Sequence, residues 1–285
     1  MRNSKLTPVI LLLPLMAVTL TVIIACVNVL LQSIGYVPAF GLTKITLGYY
    51  REVFKRPEFL SALWVSLRIA FVSTLLAAAL GTLLCAALVK RRAGGGMLYT
   101  VRFPILVPHT VVALFIMTLL GQTGIVARAA YGLGLISDYT KFPQILFTPG
   151  YGGAIAGYLW KEIPFVAYYT LALMASVSNT LGEAAENLGA SPLRSFFSVT
   201  LPAVSKAALI IFIYAFGGYE LPALLGSTLP KALPVQAYIT YLSPDLLQRP
   251  LAMAMFGVIL MLSVLMAALY SIGIRRLIKR LGGEA

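Results

Sequence analysis

Four ionisable side chains lie inside apolar stretches of the sequence, where a charge is costly. They are the adjacent Lys161 and Glu162, then Glu220, and His109, which is the single histidine of the chain. A carboxylate, an amine or an imidazole in such a place can bind a polar solute, carry a proton or pair with a neighbouring helix. These residues predict a polar route through an apolar protein.

Several common catalytic patterns are missing from the sequence. It contains no G-x-x-x-x-G-K-[ST] segment, so it is not predicted to hold ATP phosphates itself. It has neither a nucleophile elbow nor the spacing of a metal-ligand cluster. Both cysteines, Cys26 and Cys85, lie in apolar runs and indicate neither a disulfide nor a metal site. We therefore expect no enzymatic activity and no cofactor or metal bound by this chain.

The composition is that of a membrane protein. Apolar residues make up 60% of the 285 residues and charged residues 11%, and the mean hydropathy is +0.91. Soluble domains carry roughly 25% charged residues, so we expect the lipid bilayer to be the solvent of this chain. The net charge of +13 is distributed over short segments between apolar runs. That pattern favours membrane topology over binding to nucleic acid.

Six runs are apolar and long enough to cross the hydrocarbon core, which takes about 20 helical residues. We therefore predict an all-α polytopic membrane protein with six transmembrane helices, at about 8–31, 68–90, 102–128, 153–176, 206–225 and 251–274. The predicted parts are an N-terminal helix with an outer interfacial helix (1–62), a core of five spans (63–274) and a tail (275–285).

The first apolar run has two other interpretations, a signal peptide and a lipoprotein signal ending at Cys26. The run of about 24 residues exceeds the usual 7–15 of a signal-peptide core. The sequence also stays apolar after Cys26, whereas a lipoprotein would open into a soluble domain. A first transmembrane helix is therefore favoured.

Basic residues cluster at one end of the predicted spans. Lys90, Arg91 and Arg92 follow the second span, and Arg275 and Arg276 follow the sixth. By the positive-inside rule, both termini are predicted to lie in the cytoplasm. Aromatic and charged residues alternate from 47 to 64, which predicts one helix in the outer interface.

The predicted pathway residues lie near glycines and prolines that weaken the spans. Glu220 is expected to face the route, although a structural pair with another helix is the alternative. The pair Lys161 and Glu162 is also explained by helix packing, and His109 by a hydrogen bond at a helix break. The residues predicted to line the pathway are Glu220, Tyr219, Gly217, Gly218, Trp160, Glu162 and His109.

The segment after the fourth predicted span has the pattern of two short helices joined at a glycine. Thr180 and Glu183 form a capping box, and Gly189 can end the first helix. Ser191 is a second N-cap, and Pro202 closes the second helix. The two helices predict a rigid cytoplasmic protrusion that contacts another protein, or alternatively an ordinary connection between spans.

This segment resembles a known motif. Glu183-Ala184-Ala185, three residues, Gly189, nine residues and then 199–202 (Val-Thr-Leu-Pro) match the EAA loop of the permeases of binding-protein-dependent ABC importers. Only Val199 differs, since the family has isoleucine there. The resemblance extends over about 60–274 and implies the type I importer permease fold.

The resemblance implies that residues 181–188 form a coupling helix within a loop at 177–204. Glu183 would pair with a basic residue of an ATPase subunit, the two alanines would allow close packing, and Gly189 would make the turn. The coupling residues implied are Glu183, Ala184, Ala185, Glu186, Gly189, Ala190, Ser191 and Pro202.

The resemblance also implies the location, a bacterial cytoplasmic membrane, and the partners. ATP and Mg would be bound by two separate ATP-binding cassette subunits. A second permease would complete the pore, with a heterodimer favoured over a homodimer. A solute-binding protein would dock on the outer loops at about 122–150 and 226–249.

The residues at 217–222 and 253–255 resemble the permease subgroup that imports polyamines, ferric iron, thiamine or aminophosphonates. Polyamines are the first expectation for the solute. A secondary transporter is the alternative, but no repeat relates the two halves of the sequence. A membrane enzyme would need a catalytic constellation, which is not seen.

Overall fold

The structure, a computed structural model, describes residues 7–91, 94–176 and 201–280. Within these ranges the secondary structure is helical apart from turns and one isolated bridge between Val37 and Leu42. The all-α prediction is therefore confirmed. The helices are α1 (Thr7–Ser33), α2 (Gly48–Lys55), α3 (Pro57–Lys90), α4 (Gly95–Leu106), α5 (His109–Leu120), α6 (Ile125–Gly132), α7 (Gly152–Ser176), α8 (Leu201–Gly217), α9 (Glu220–Leu225), α10 (Leu233–Tyr241) and α11 (Arg249–Arg280).

Four helical segments in the described ranges are long and apolar enough to cross a membrane by length and composition. They are Leu11–Ser33, Pro57–Lys90, His109–Gly132 and Leu246–Gly273. The fourth predicted span is the unbroken helix α7, which carries Lys161 and Glu162. The fifth is divided between α8 and α9. The count of six transmembrane helices is thus not confirmed and stays a prediction.

The prediction of one continuous helix at 47–64 is wrong, because the chain forms two helices there, and an interfacial position stays a prediction. Helix α2 ends before Arg56, whose ψ of 120° is extended, and Pro57 begins α3. A proline disfavours helical geometry in the residue before it and suits the first position of a helix. The second apolar helix therefore begins about a dozen residues earlier than the sequence suggested.

Two further breaks interrupt apolar helices. Val107 is extended, with ψ of 130°, and Pro108 precedes the first residue of α5. Helix α8 ends at Gly217, Gly218 is not helical, and α9 begins at Glu220. The second break lies where the glycine pair was predicted to weaken the span.

The chain divides into two compact units, Met1–Phe59 with Gln236–Met261, and Leu60–Val235 with Leu262–Ala285. In the first unit, Tyr50 on α2 donates a hydrogen bond to Ser33 Oγ at the end of α1 over 2.8 Å. A Cβ atom at Gly257 would collide with the Tyr50 hydroxyl group. Glycine at this position therefore allows α2 to pack on the start of α11.

In the second unit, α7 packs against α3 and α8. Their buried side chains form a cluster of small and branched residues: Ala77, Val166, Val204, Ala207 and Ile211. Gly81 on α3 lies directly against Val166 and the carbonyl oxygen of Ile163. Close approach of small residues is the usual way in which helices associate in a bilayer.

Two side-chain hydrogen bonds to backbone carbonyl oxygens hold the loop that ends at Tyr151, directly before α7. Tyr151 has a positive φ of 57°, and its hydroxyl group donates to the carbonyl oxygen of Pro230 over 2.8 Å. Arg68 donates to the carbonyl oxygen of Pro149. Burial raises the pKa of the Tyr151 phenol, so this group stays a donor at neutral pH.

The packing of α3 on α7 predicts a loss of stability for Gly81→Ala. Alanine ordinarily favours a helix over glycine by about 1 kcal/mol. Here its Cβ would lie 2.7 Å from Val166 Cβ and 2.9 Å from Ile163 O, so the helices must separate. We expect a destabilisation of about 1–3 kcal/mol, typical of overpacking, measured as a lower midpoint of thermal unfolding in detergent.

The matched control is Gly96→Ala in α4, where a Cβ atom meets nothing within 4 Å. This variant should unfold at the wild-type temperature or slightly above it. Equal midpoints for the two variants would contradict the close packing at Gly81.

Candidate functional site

The two helix breaks of the second unit meet at a pair of ionisable side chains. His109, the first residue of α5, places Nδ1 at 3.3 Å from Oε2 of Glu220, the first residue of α9. The His109 side chain is 14% exposed and that of Glu220 is 53% exposed, and the pair is ionic only when the imidazole is protonated. The structure thus brings together two residues that the sequence singled out separately.

Tyr214 on α8 links the third helix to this pair. Its hydroxyl oxygen lies 2.9 Å from His109 Nε2, and the two rings are tilted with centroids 5.4 Å apart. Helices α5, α8 and α9 therefore converge on one imidazole. Either nitrogen of that ring can donate or accept, which lets it serve a carboxylate and a phenol together.

Lys161 on α7 stabilises the break between α4 and α5. Its Nζ donates to the carbonyl oxygen of Val107 over 2.5 Å. Val107 lies between the two helices, so its carbonyl group lies outside the regular hydrogen-bond pattern of either helix. This contact agrees with the helix-packing explanation of Lys161.

The side chain of the next residue, Glu162, lies in the protein interior. It is 4% exposed, and neither carboxyl oxygen has a hydrogen-bond partner among the described residues. The nearby Ser73 hydroxyl group on α3 donates to the carbonyl oxygen of Ala70 over 3.4 Å. Buried polar atoms without partners are uncommon in proteins, which marks Glu162 as a candidate functional residue.

Two cavities share His109, Tyr158 and Tyr214. The first, of about 220 Å³, is lined mostly by apolar side chains together with Lys161 and Glu162. The second, of about 490 Å³, is lined by the break between α8 and α9, from Gly217 to Leu221. The walls therefore include six of the seven residues predicted for the pathway.

Trp160 is the predicted pathway residue that lines neither cavity. Its ring packs on Phe115 of α5, with centroids 5.4 Å apart. Its contact ties α7 to α5, and its role in a pathway stays a prediction.

Two tyrosines of the site were missed in the sequence. Tyr158 is 2% exposed, and its ring meets that of Tyr214 edge-on with centroids 6.5 Å apart. A Cβ atom at Gly218 would collide with the Tyr158 hydroxyl group. Tyrosine in an apolar helix most often indicates the membrane interface, so the sequence carried no signal for this role.

Most of the predicted coupling residues lie outside the described residues: Glu183, Ala184, Ala185, Glu186, Gly189, Ala190 and Ser191. Pro202 is described, in the first turn of α8. Its carbonyl oxygen accepts from Ser205 Oγ over 2.9 Å, and that hydroxyl oxygen lies 3.0 Å from Tyr270 Oη. The end of the loop is therefore joined to α11.

Comparisons with known proteins place this chain in a family. Residues 77–281 match the family described as binding-protein-dependent transport system inner membrane component. The sn-glycerol-3-phosphate transport system permease protein UgpA of Pectobacterium atrosepticum is 27% identical over 75% of this chain and 74% of its own. The putrescine transport system permease protein PotI of Escherichia coli is 26% identical over 59% of this chain and 55% of its own.

A solved structure shows the same fold. It is a bacterial ABC transporter involved in the import of the acidic polysaccharide alginate, and a chain of it aligns with a TM-score of 0.66 and 20% identity. The alignment covers 92% of this chain and 93% of that one. The family match spans well over half of the chain. The chain therefore belongs to the family of inner membrane components of binding-protein-dependent transport systems, and it is a multi-pass permease subunit of an ABC importer.

Proposed function

We propose that this permease forms, with a second permease, the translocation path for a small polar solute. A periplasmic binding protein delivers the solute, and two ATP-binding subunits drive its passage. The observation that carries the proposal is the cluster of His109, Glu220 and Tyr214 at two helix breaks beside two cavities. Interrupted helices that line a cavity are the tolerated form of irregular backbone at membrane depth.

The breaks also permit the helix movement that transport needs. Helix α5 follows Pro108, whose ψ is 146°, and α9 follows two residues, Gly218 and Tyr219, that belong to no helix. Each helix can therefore tilt without bending a regular helix. The contact between His109 and Glu220 holds these helices together, and parting them enlarges the shared cavity space. Alternating access requires two such arrangements, biased by ATP binding on the partner subunits.

The loop at 177–204 is proposed to transmit the movement of the ATP-binding subunits, which hold ATP and Mg. Its motif supports this role, with Glu183 as the charged contact and Gly189 as the turn. The contacts from Pro202 through Ser205 to Tyr270 give the loop a mechanical connection to α11. In this arrangement both termini and the loop lie on the cytoplasmic side.

A polyamine is the solute that we propose first, and a heterodimer the arrangement of the permeases. Glu220 offers a half-exposed carboxylate among the rings of Tyr158, Tyr214 and Tyr219. A carboxylate with aromatic faces suits an ammonium group through charge and cation–π attraction. The putrescine relative adds support, whereas the glycerol phosphate relative shows that the family also contains a permease named for an anion.

The coupling role predicts that Glu183→Lys and Gly189→Pro each lower ATP hydrolysis. The measurement is the basal and binding-protein-stimulated rate of the co-purified assembly in lipid, and we expect at least a tenfold fall. Reversing one charge places two basic groups together, and proline removes the turn. The matched control is Glu52→Lys, an exposed glutamate with a surface ion pair to Arg56, which should hydrolyse ATP at the wild-type rate.

If both coupling variants hydrolyse ATP at the wild-type rate, this loop does not couple the permease to the ATP-binding subunits. The importer assignment would then require another contact, and ATP-independent uptake in vesicles would identify a secondary transporter instead.

The pathway role predicts that Glu220→Gln impairs uptake of putrescine by reconstituted vesicles. The amide keeps the size of the side chain but removes its charge, so we expect at least a tenfold slower uptake. Glu52→Gln is the control of the same chemistry and should retain uptake. Equal uptake by Glu220→Gln and wild type would show that this carboxylate does not act on the solute.

A further inference from the structure

A short stretch of backbone connects the contact of Lys161 with His109. Lys161 Nζ donates to the carbonyl oxygen of Val107 over 2.5 Å, and His109 lies two residues further along the chain. Only Pro108 separates them, with φ of −58° and ψ of 146°. The proline ring holds φ near this value, so the Val107 carbonyl group and the start of α5 move together. The position of the amine is therefore transmitted to the first residue of α5.

The imidazole of His109 is held from the opposite side, by α8 and α9. Its Nδ1 lies 3.3 Å from Glu220 Oε2, and its Nε2 lies 2.9 Å from Tyr214 Oη. The contact with Glu220 is already at the long end of hydrogen-bond distances, so a small outward displacement of α5 breaks it. The contact depends on where the backbone of His109 is held, and α7 holds that backbone through the break.

The packing of α5 on α7 does not by itself require a lysine. The two helices are already joined by the rings of Trp160 and Phe115, whose centroids are 5.4 Å apart. Lys161 adds a hydrogen bond to the break itself, where the Val107 carbonyl group is released from the helical pattern. Its effect is therefore local to the residues that precede the imidazole.

We propose that Lys161 is a positioning residue, which sets the distance between His109 and Glu220 and thereby the availability of Glu220 to a solute. It acts through the backbone at Val107 and does not contact the solute. The statement about the solute rests on the proposed function, whereas the statement about the distance does not.

The charge of Lys161 alone would have the opposite effect on this distance. The amine lies within electrostatic range of both His109 and Glu220. Removing a positive charge there strengthens any ionic contact between the imidazole and the carboxylate. Removing the hydrogen bond to Val107 releases α5 and separates them. The two explanations therefore predict changes of opposite sign.

The distance can be measured by solid-state NMR, because His109 is the single histidine of the chain. The full chain is labelled with nitrogen-labelled histidine and carboxyl-labelled glutamate, purified with a tag that contains no histidine, and reconstituted in lipid. The wild type should show a strong dipolar coupling between an imidazole nitrogen and one carboxyl carbon. Glu220→Gln should abolish this coupling, which identifies the carboxyl group.

Lys161→Met should also abolish the coupling, because the Val107 carbonyl group loses its donor. Lys161→Arg retains a donor and has room in the cavity of about 220 Å³ that Lys161 lines, so it should restore the wild-type coupling. The matched control is Lys141→Met, an exposed lysine that lines neither this cavity nor the one at the break between α8 and α9. This variant should keep the wild-type coupling.

The consequence for transport is measured as the KM of putrescine uptake by vesicles that contain the complete assembly. Lys161→Met should lower this KM by about fivefold, the lower end of ordinary coupling between sites, because His109 no longer occupies Glu220. Lys161→Arg and Lys141→Met should keep the wild-type KM. The midpoint of thermal unfolding reports whether each variant folds. If Lys161→Met does not fold, Lys161→Gln, with its shorter amide donor, should give an intermediate coupling.

An unchanged or stronger coupling in Lys161→Met would overturn the positioning role and leave Lys161 with an electrostatic effect alone. A coupling that Lys161→Arg does not restore would overturn it too, since the loss would then come from disturbed packing. A lost coupling with an unchanged KM would separate Glu220 from the solute and count against the proposed function, while the positioning of His109 would stand.

Discussion

The hydrocarbon core of a bilayer offers no hydrogen bonds to the backbone, and this constraint explains the arrangement of the second unit. Helices satisfy their own backbone, but each break releases carbonyl and amide groups. The break at Val107 is stabilised by the amine of Lys161, and the two helices that begin after breaks are joined through His109 and Glu220. His109, Glu220 and the amine of Lys161 therefore meet the backbone or one another where helices are interrupted. Both cavities also lie beside these interruptions, since His109 lines each of them.

The sequence predicted the local features of this arrangement because they depend on neighbouring residues. Glycine and proline at 217–222 indicated a weakened helix, and α8 indeed ends at Gly217. Pro57 was overlooked as a boundary, so one interfacial helix was expected where two helices form. The all-α class follows from composition alone, since a bilayer admits few other solutions for such a chain.

The site itself could be predicted only in part, because its contacts join residues that are distant in the sequence. Periodicity does not tell which helix faces His109, and neither Tyr158 nor Tyr214 differs locally from an aromatic residue at the membrane interface. Glu162 and Lys161 are adjacent, yet one is buried without a partner in the described ranges and the other caps a break. Their different environments follow from packing in three dimensions.

The contact between His109 and Glu220 has a consequence for the energetics of transport. In the proposed function, a cationic solute bound at Glu220 would compete with the imidazole of His109 for the same carboxylate. Solute occupancy and the separation of α5 from α9 would then be linked equilibria. If solute binding favours separation of the two helices by a given free energy, separation of the helices favours solute binding by the same free energy. His109 then competes with the solute for Glu220, and the strength of the contact between His109 and Glu220 sets how readily the solute dissociates. Weak binding at this point is therefore an advantage for a protein that must release what it carries.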